Sequence, residues 1–211
     1  MRMNKKGSVC ILSGILLIVS AFGLLIYNVW TADAAGRYSK EASEQLLEAI
    51  DKDALSASDG DIVYPDYVLN PDKDMPVKEM DGHSYIGMLE IPALGLELPI
   101  QEEWSYPDLR VSPCRYAGSA YLDNMVICAH SYKTHFRYLR ELSEGDELKF
   151  TDIDGNKFFY KVKGIEIVKP KDVEGMTSGE WDLTLFTCTP GGMSRTALRC
   201  GKSTDLAGMN R

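Results

Sequence analysis

Residues 182–200 read DLTLFTCTPGGMSRTALRC. Apolar and β-branched residues run up to a thiol at Cys188. Pro190, Gly191 and Gly192 follow, and a second β-rich run opens at Arg195. This is the pattern of a strand, a turn and a strand. It leaves a lone cysteine at the end of one strand and an arginine at the start of the next.

The same texture extends upstream. SYIGMLEIPALGLELPIQ, residues 84–101, is β-rich and broken at Pro92 and Gly95. NMVICAHS, residues 124–131, predicts a short apolar strand ending at His130. Asp154-Gly155 lies between two β-rich runs, as a tight hairpin requires. HFRYLREL and KDVEGM read as short helices or turns. Many short strands with Gly/Pro turns and few helices predict an all-β unit, a closed or nearly closed barrel.

Of the 211 residues, 45% are hydrophobic and 26% charged, as in an ordinary globular chain. The net charge of −8 and the lack of a basic patch argue against a nucleic-acid partner. Five cysteines without a Cys-x-x-Cys pair predict at least one free thiol. The N-terminus is the other decisive stretch. MRMNKK is positive, and residues 7–30 then carry no charge. That length suits a membrane-spanning helix, with Tyr27 and Trp30 at its far interface. Small residues in TADAAG after Trp30 would suit the competing reading, a cleaved signal peptide. The expected organisation is a cytoplasmic tail over 1–6 and a transmembrane signal anchor over 7–30. A helical stalk and irregular linker over 31–80 then lead to a catalytic β-barrel over 81–211. Leu46, Leu47 and Ile50 share one side of the predicted stalk helix.

A thiol reacts as thiolate, so a nucleophilic cysteine needs a base or a cation beside it. The chain has three histidines. His83 reads as solvated, His135 as a surface residue among lysine and arginine, and His130 as a rim residue at a strand end. Arg195 and Arg199 alternate on one strand face, so either can supply the cation. Cys128 and Cys200 read as small buried residues, and Cys114 as lying in a loop that borders the cleft. A zinc site from Cys128, His130, Cys188 and Cys200 is the rival chemistry, although it lacks the usual closely spaced ligand pairs.

Four stretches resemble the sortase family. TLFTC, Thr184 to Cys188, matches its Thr-Leu-x-Thr-Cys signature. VICAHSY is similar to the strand ending in the family's active-site histidine, and RTALRCGK to the strand that opens on its arginine. LRELSEGDELKFTDIDGNKFFYKV resembles its Leu-x-x-Gly-Asp turn and following hairpin. The resemblance covers residues 84–202. It departs from the family at Ala129, where many members have glycine, and in the short turn TPGGMS.

The resemblance implies an all-β, sortase-like eight-stranded β-barrel with short helices, preceded by the transmembrane helix. It implies a cysteine transpeptidase on the outer face of a Gram-positive cell. Such an enzyme cleaves a Leu-Pro-x-Thr-Gly-like sorting signal of secreted proteins through a thioester. It then transfers the protein to an amine of a peptidoglycan precursor or a pilin. Cys188 is the implied nucleophile, His130 the acid and base, and Arg195 the oxyanion or substrate ligand. Thr187 and Arg199 are implied substrate contacts. No metal or other cofactor is implied, and calcium stimulation stays open. A class A or D-like enzyme is favoured, partly because the sequence ends in a polar stretch, with class B and class C left open. A membrane-anchored cysteine protease and a non-enzymatic surface β-barrel binding module are the alternatives. Whether residues 31–80 fold over the site as a lid is a further open expectation.

Overall fold

The computed structural model describes residues 5–56, 65–178 and 180–203. Nine strands form one sheet: β1 (Lys78–Met80), β2 (His83–Ile91), β3 (Leu96–Gln101), β4 (Cys114–Ala117), β5 (Met125–Cys128), β6 (Glu147–Asp152), β7 (Lys157–Val168), β8 (Leu183–Cys188) and β9 (Arg195–Lys202). Neighbours run in the order β2-β3-β4-β5-β8-β9-β7-β6, and β6 pairs back onto β2. Eight strands therefore close a barrel, as the sequence leads one to expect. β1 extends the β6 edge of β2 through Lys78 to Met80.

Turn chemistry sets the connections. Between β6 and β7 the carboxylate of Asp152 accepts from the Asn156 backbone N–H and side-chain amide, both at 2.8 Å. Gly155 takes a φ of 82° inside that loop, which favours a residue without Cβ. The Tyr121 hydroxyl donates to Asp152 at 2.8 Å and ties the loop to the barrel. Closure of the ring depends on another glycine. Gly87 sits beside a register shift in β2 and faces Asp152 of β6. A Cβ there would lie 2.1 Å from the Thr151 carbonyl oxygen.

Inside the barrel, alternate residues such as Ile86, Ile100, Ile127, Phe150, Tyr160, Leu185 and Leu198 form a continuous apolar core. The β5–β6 connection adds Phe136, Leu139 and Leu142 to it. His135 is drawn in beside them and is fully buried, with no partner for either ring nitrogen. The expectation of a surface histidine is therefore corrected. Its charged sequence neighbours stay outside while the chain dips to insert Phe136. Burial pushes His135 down to about 4, and the charge of His130 adds to the effect.

The N-terminal helix α1 (Lys5–Ser56) is one unbroken element. Its apolar stretch is long enough to cross a bilayer, with a mean hydropathy of 2.8 and no burial in the protein. Beyond it, Ala35, Ser39, Ser43, Leu46 and Ile50 are buried at helical spacing. Leu46 and Ile50 pack on Tyr85, Met88 and Ile153, and the Ser43 hydroxyl lies 3.2 Å from the Glu97 carbonyl. After the short α2 (Asp66–Leu69), the linker also docks. Tyr67 stacks on Tyr121 with ring centroids 4.6 Å apart, and Met75 enters the core.

Two outcomes follow from these contacts. Gly87→Ala sets a methyl group against strand backbone and lowers unfolding free energy by ~3 kcal/mol or more in urea titration. For His135, the unfolded chain takes up a proton as pH falls through 6.5, whereas the folded site does so only near 4. Stability is therefore lost as pH falls through that window, by up to ~3 kcal/mol. His135→Phe flattens that loss in thermal melts recorded between pH 7 and 4.

Candidate active site

The cleft lies on the outer face of the barrel, at the carboxyl ends of β5, β7 and β8 and the start of β9. It encloses about 210 Å³. Its floor comes from strand residues that point away from the core: Cys128 on β5, Phe186 and Cys188 on β8, and Arg195 on β9. Val126 and Ala197 pack with Phe186 and Met176 beneath it. One wall is aromatic, with Trp104, Tyr106 and Tyr116. Tyr116 meets Phe186 edge-on, with centroids 5.2 Å apart. The opposite wall is Val173 and Met176 of α3 (Val173–Thr177), which Asp172 caps by accepting from the Gly175 N–H at 2.9 Å.

Parallel pairing of β5 with β8 brings distant residues together. Cys128 sits opposite Phe186, and Ala129 N–H donates to the Phe186 carbonyl at 3.1 Å. The Thr187 hydroxyl donates to the Ala129 carbonyl at 2.8 Å. The chain on either side is thereby pinned, and His130 and Cys188 line the same cleft. The strand ends at Cys128, two residues before His130, so the imidazole stands on the following loop. It packs on Tyr132 at 5.0 Å between centroids. Burial holds His130 below its ordinary value of 6.5, and the nearby charge of Arg110 works in the same direction. The neutral imidazole is favoured.

Arg195 lies opposite Cys188 in the β8–β9 ladder. The turn between them is closed by Thr189 N–H to Ser194 carbonyl at 3.0 Å and Gly192 N–H to Thr189 carbonyl at 2.8 Å. The Arg195 guanidinium donates to the Gly192 and Ser194 carbonyls at 3.2 and 3.1 Å. Arg199 shares its strand face but does not line the cleft. It is buried, and its guanidinium donates to Glu166 at 3.0 Å, to Thr184 at 3.1 Å, and to the Met176 and Gly175 carbonyls at 3.3 and 2.5 Å. Two turns of alternation deeper, it is covered by α3 and holds that wall in place. Four of its five N–H donors are thus engaged within the protein, and the expected substrate contact lies outside this cleft.

The five cysteines are all free. Burial pushes Cys128 and Cys200 up to about 12, and Cys114 up as well. Cys114 opens β4 directly opposite Cys128 and is fully buried, so it does not border the cleft as expected. Cys188 is half-buried within it. Cys200 belongs to the inner core and Cys128 to an outer cluster with Leu109 and Cys114, so the four proposed zinc ligands do not converge. His83 is half-buried, with Nδ1 3.2 Å from Asp108, rather than solvated. No described residue of the linker lines the cleft.

A family model described as the Sortase domain matches residues 89–200. The chain belongs to the sortase family. Sortase D of Bacillus subtilis (strain 168) is 32% identical over 108 residues, which are 49% of this chain and 54% of that protein. The match thus spans about half the length of the curated relative. Among solved structures, a Clostridium perfringens sortase D5 transpeptidase is similar with a TM-score of 0.57 and 20% identity, covering 79% of this chain and 99% of its own. The lid mutant of Corynebacterium diphtheriae sortase A has a TM-score of 0.51 and 25% identity, covering 78% and 95%.

Sequence reasoning missed Arg110 and the aromatic wall of this sortase. Their only signal is the aromatic-rich run Trp104-Ser105-Tyr106, which has no periodicity. Arg110 carries a clear consequence. Arg110→Gln removes a repelling cation, so the His130 imidazolium becomes easier to form. An NMR titration then shows His130 moved to higher pH, and the acid limb of the rate profile moves with it.

Proposed function

We propose that this sortase is a membrane-anchored cysteine transpeptidase with Cys188 as nucleophile, His130 as acid and base, and Arg195 as oxyanion ligand. The observation that supports it is the meeting of these three groups in one cleft, although His130 and Cys188 are 58 residues apart. The substrate is a secreted surface protein with a C-terminal Leu-Pro-x-Thr-Gly-like sorting signal. The Clostridium perfringens sortase C has been solved with the C-terminal cell wall sorting motif. The apolar walls here, from Trp104 to Met176, suit the hydrophobic side chains at the start of such a motif.

The neutral His130 imidazole takes the Cys188 proton as sulfur attacks the scissile carbonyl. A C–S bond forms, and negative charge moves to the carbonyl oxygen. Arg195, held only by turn carbonyls, exchanges them for that oxyanion. Imidazolium protonates the leaving nitrogen, the C–N bond breaks, and a thioester remains. In the second half an amine attacks, His130 accepts its proton, the new C–N bond forms, and the thiol leaves with the proton restored. The thioester conserves the energy of the cleaved amide, so the cycle itself needs no cofactor. The acceptor is the amine of a peptidoglycan precursor or a pilin. Similarity to the Bacillus sortase D favours a class D-like enzyme. The apolar helix anchors the chain with Lys5 and Lys6 on the cytoplasmic side and the barrel outside.

The test is mass spectrometry of the full chain with sorting-signal peptides and triglycine. The expected products are a thioester on Cys188 and a triglycine amide, both lost in Cys188→Ala. His130→Ala loses rate by about a hundredfold or more. Cleavage without amide formation would make the chain a protease. Cleavage surviving Cys188→Ala would remove the assignment of the nucleophile.

A further inference from the structure

The apolar span continues without a break into a helix that packs on the barrel. Helix α1 continues past Trp30 without a break, and Ala35 is already buried against the rest of the chain. No flexible spacer separates the two. Contacts continue at Ser39 and Ser43 near Glu97, then at Leu46 and Ile50 near Tyr85 and Met88. The helix therefore fixes which part of the barrel lies lowest. At Gly36 the helix backbone meets Thr134, whose Cγ2 lies 2.7 Å from where a Cβ would be. Six residues beyond Trp30 at 1.5 Å rise is about 9 Å along the axis. The polar headgroup layer is about 5–8 Å deep on each side of the hydrocarbon. The β5–β6 loop thus stands at the headgroup boundary.

The first part of that loop, up to Arg140, is basic. From Met125 to Arg140 there is no carboxylate, in a protein of net charge −8, and Glu141, Glu144 and Asp146 follow only in the second part of the loop. Lys133, Arg137 and Arg140 are exposed on it. On the adjoining helix, Arg37 pairs with Asp33 and Lys40 lies 3.9 Å from Glu44, which leaves the exposed Glu41 as the helix's further charge between residues 31 and 44. The loop begins at Ala129, and Arg137 Nε donates to the carbonyl of Ser131 at 3.1 Å, the residue next to the cleft-lining His130.

We infer that the first part of the β5–β6 loop, residues 131–140, is a docking surface for anionic lipid headgroups, and that it seats the candidate active site at the bilayer surface. The argument is charge complementarity together with continuity with the membrane span, and it rests on the membrane-anchor reading above. Juxtamembrane lysines and arginines are attracted to an anionic leaflet and lose that attraction beyond the Debye length.

The full chain in phosphatidylglycerol and in phosphatidylcholine nanodiscs is the test, read by amide hydrogen exchange over residues 131–141. Exchange is expected to be slower in phosphatidylglycerol by about tenfold. The difference vanishes in 1 M salt, where the Debye length is about 3 Å. It also vanishes in Lys133→Glu/Arg140→Glu, and in the gentler Lys133→Gln/Arg140→Gln. Both variants keep the parent melting temperature and the aminolysis of a soluble peptide in detergent. Equal exchange in the two lipids, in a chain that co-purifies with the discs, overturns the inference and leaves the anchor intact. A chain that does not co-purify overturns both.

Discussion

The parallel pairing of β5 with β8 is the constraint on which the rest depends. Side chains in a strand alternate, so a slip of one residue would turn Cys188 from the outer cleft to the inner core. The register is held by the Cys128–Phe186 pair, by the Ala129 N–H on the Phe186 carbonyl, and by the Thr187 hydroxyl on the Ala129 carbonyl. Parallel neighbours cannot be joined by a tight turn. The crossover here carries β6 and β7, and these close the barrel against β2 and β9. The site and the closure of the fold are therefore one requirement. Gly87, far from the cleft in the ring of strands, matters to the cleft because it lets β2 and β6 approach.

Charge placement separates two arginines that look equivalent in sequence. Both face outward from β9. Arg199 lies under α3 and spends its donors on Glu166, Thr184 and two carbonyls. Arg195 lies at the rim and, among the described residues, donates to carbonyls of its own turn. A buried guanidinium bonded through four of its five donors is a construction element, because removing one partner strands a charge. A guanidinium on weak local partners can exchange them for a ligand. The same logic separates the cysteines. Burial raises Cys128, Cys200 and Cys114 toward the inert thiol, while Cys188 keeps access to the cleft.

The strands and the hairpin were legible because alternation and turn chemistry are local. Asp154-Gly155 and the run ending at Cys188 announce themselves within a few residues. The barrel placement of Cys188 and Arg195 followed from strand ends alone. What failed depended on long-range packing. His135 sits among lysine and arginine, yet Phe136 beside it pulls the backbone inward. The aromatic wall comes from a connection without periodicity, so its burial against Phe186 leaves no local trace. The different surroundings of Arg195 and Arg199 are set by α3, whose carbonyls bond Arg199 from 23 and 24 residues upstream, beyond the reach of any local pattern. The stalk helix was legible from Leu46 and Ile50, but its fusion with the apolar span into one helix was not, because no composition change marks where a helix fails to end.

That fusion alters how the enzyme class works at a surface. A barrel on a flexible tether samples many heights and tilts, and a substrate must wait for a suitable one. A barrel clamped along α1 from Ala35 to Ile50 has lost that freedom already. The ordering cost is met in folding, by burial of Leu46 and Ile50 on Tyr85 and Met88, rather than at each encounter. On the proposed membrane anchoring, the cleft is then held at one fixed height. The linker that follows supports this economy. Among its described residues, Tyr67 stacks on Tyr121 and Met75 enters the core, so this part of the linker supports the barrel.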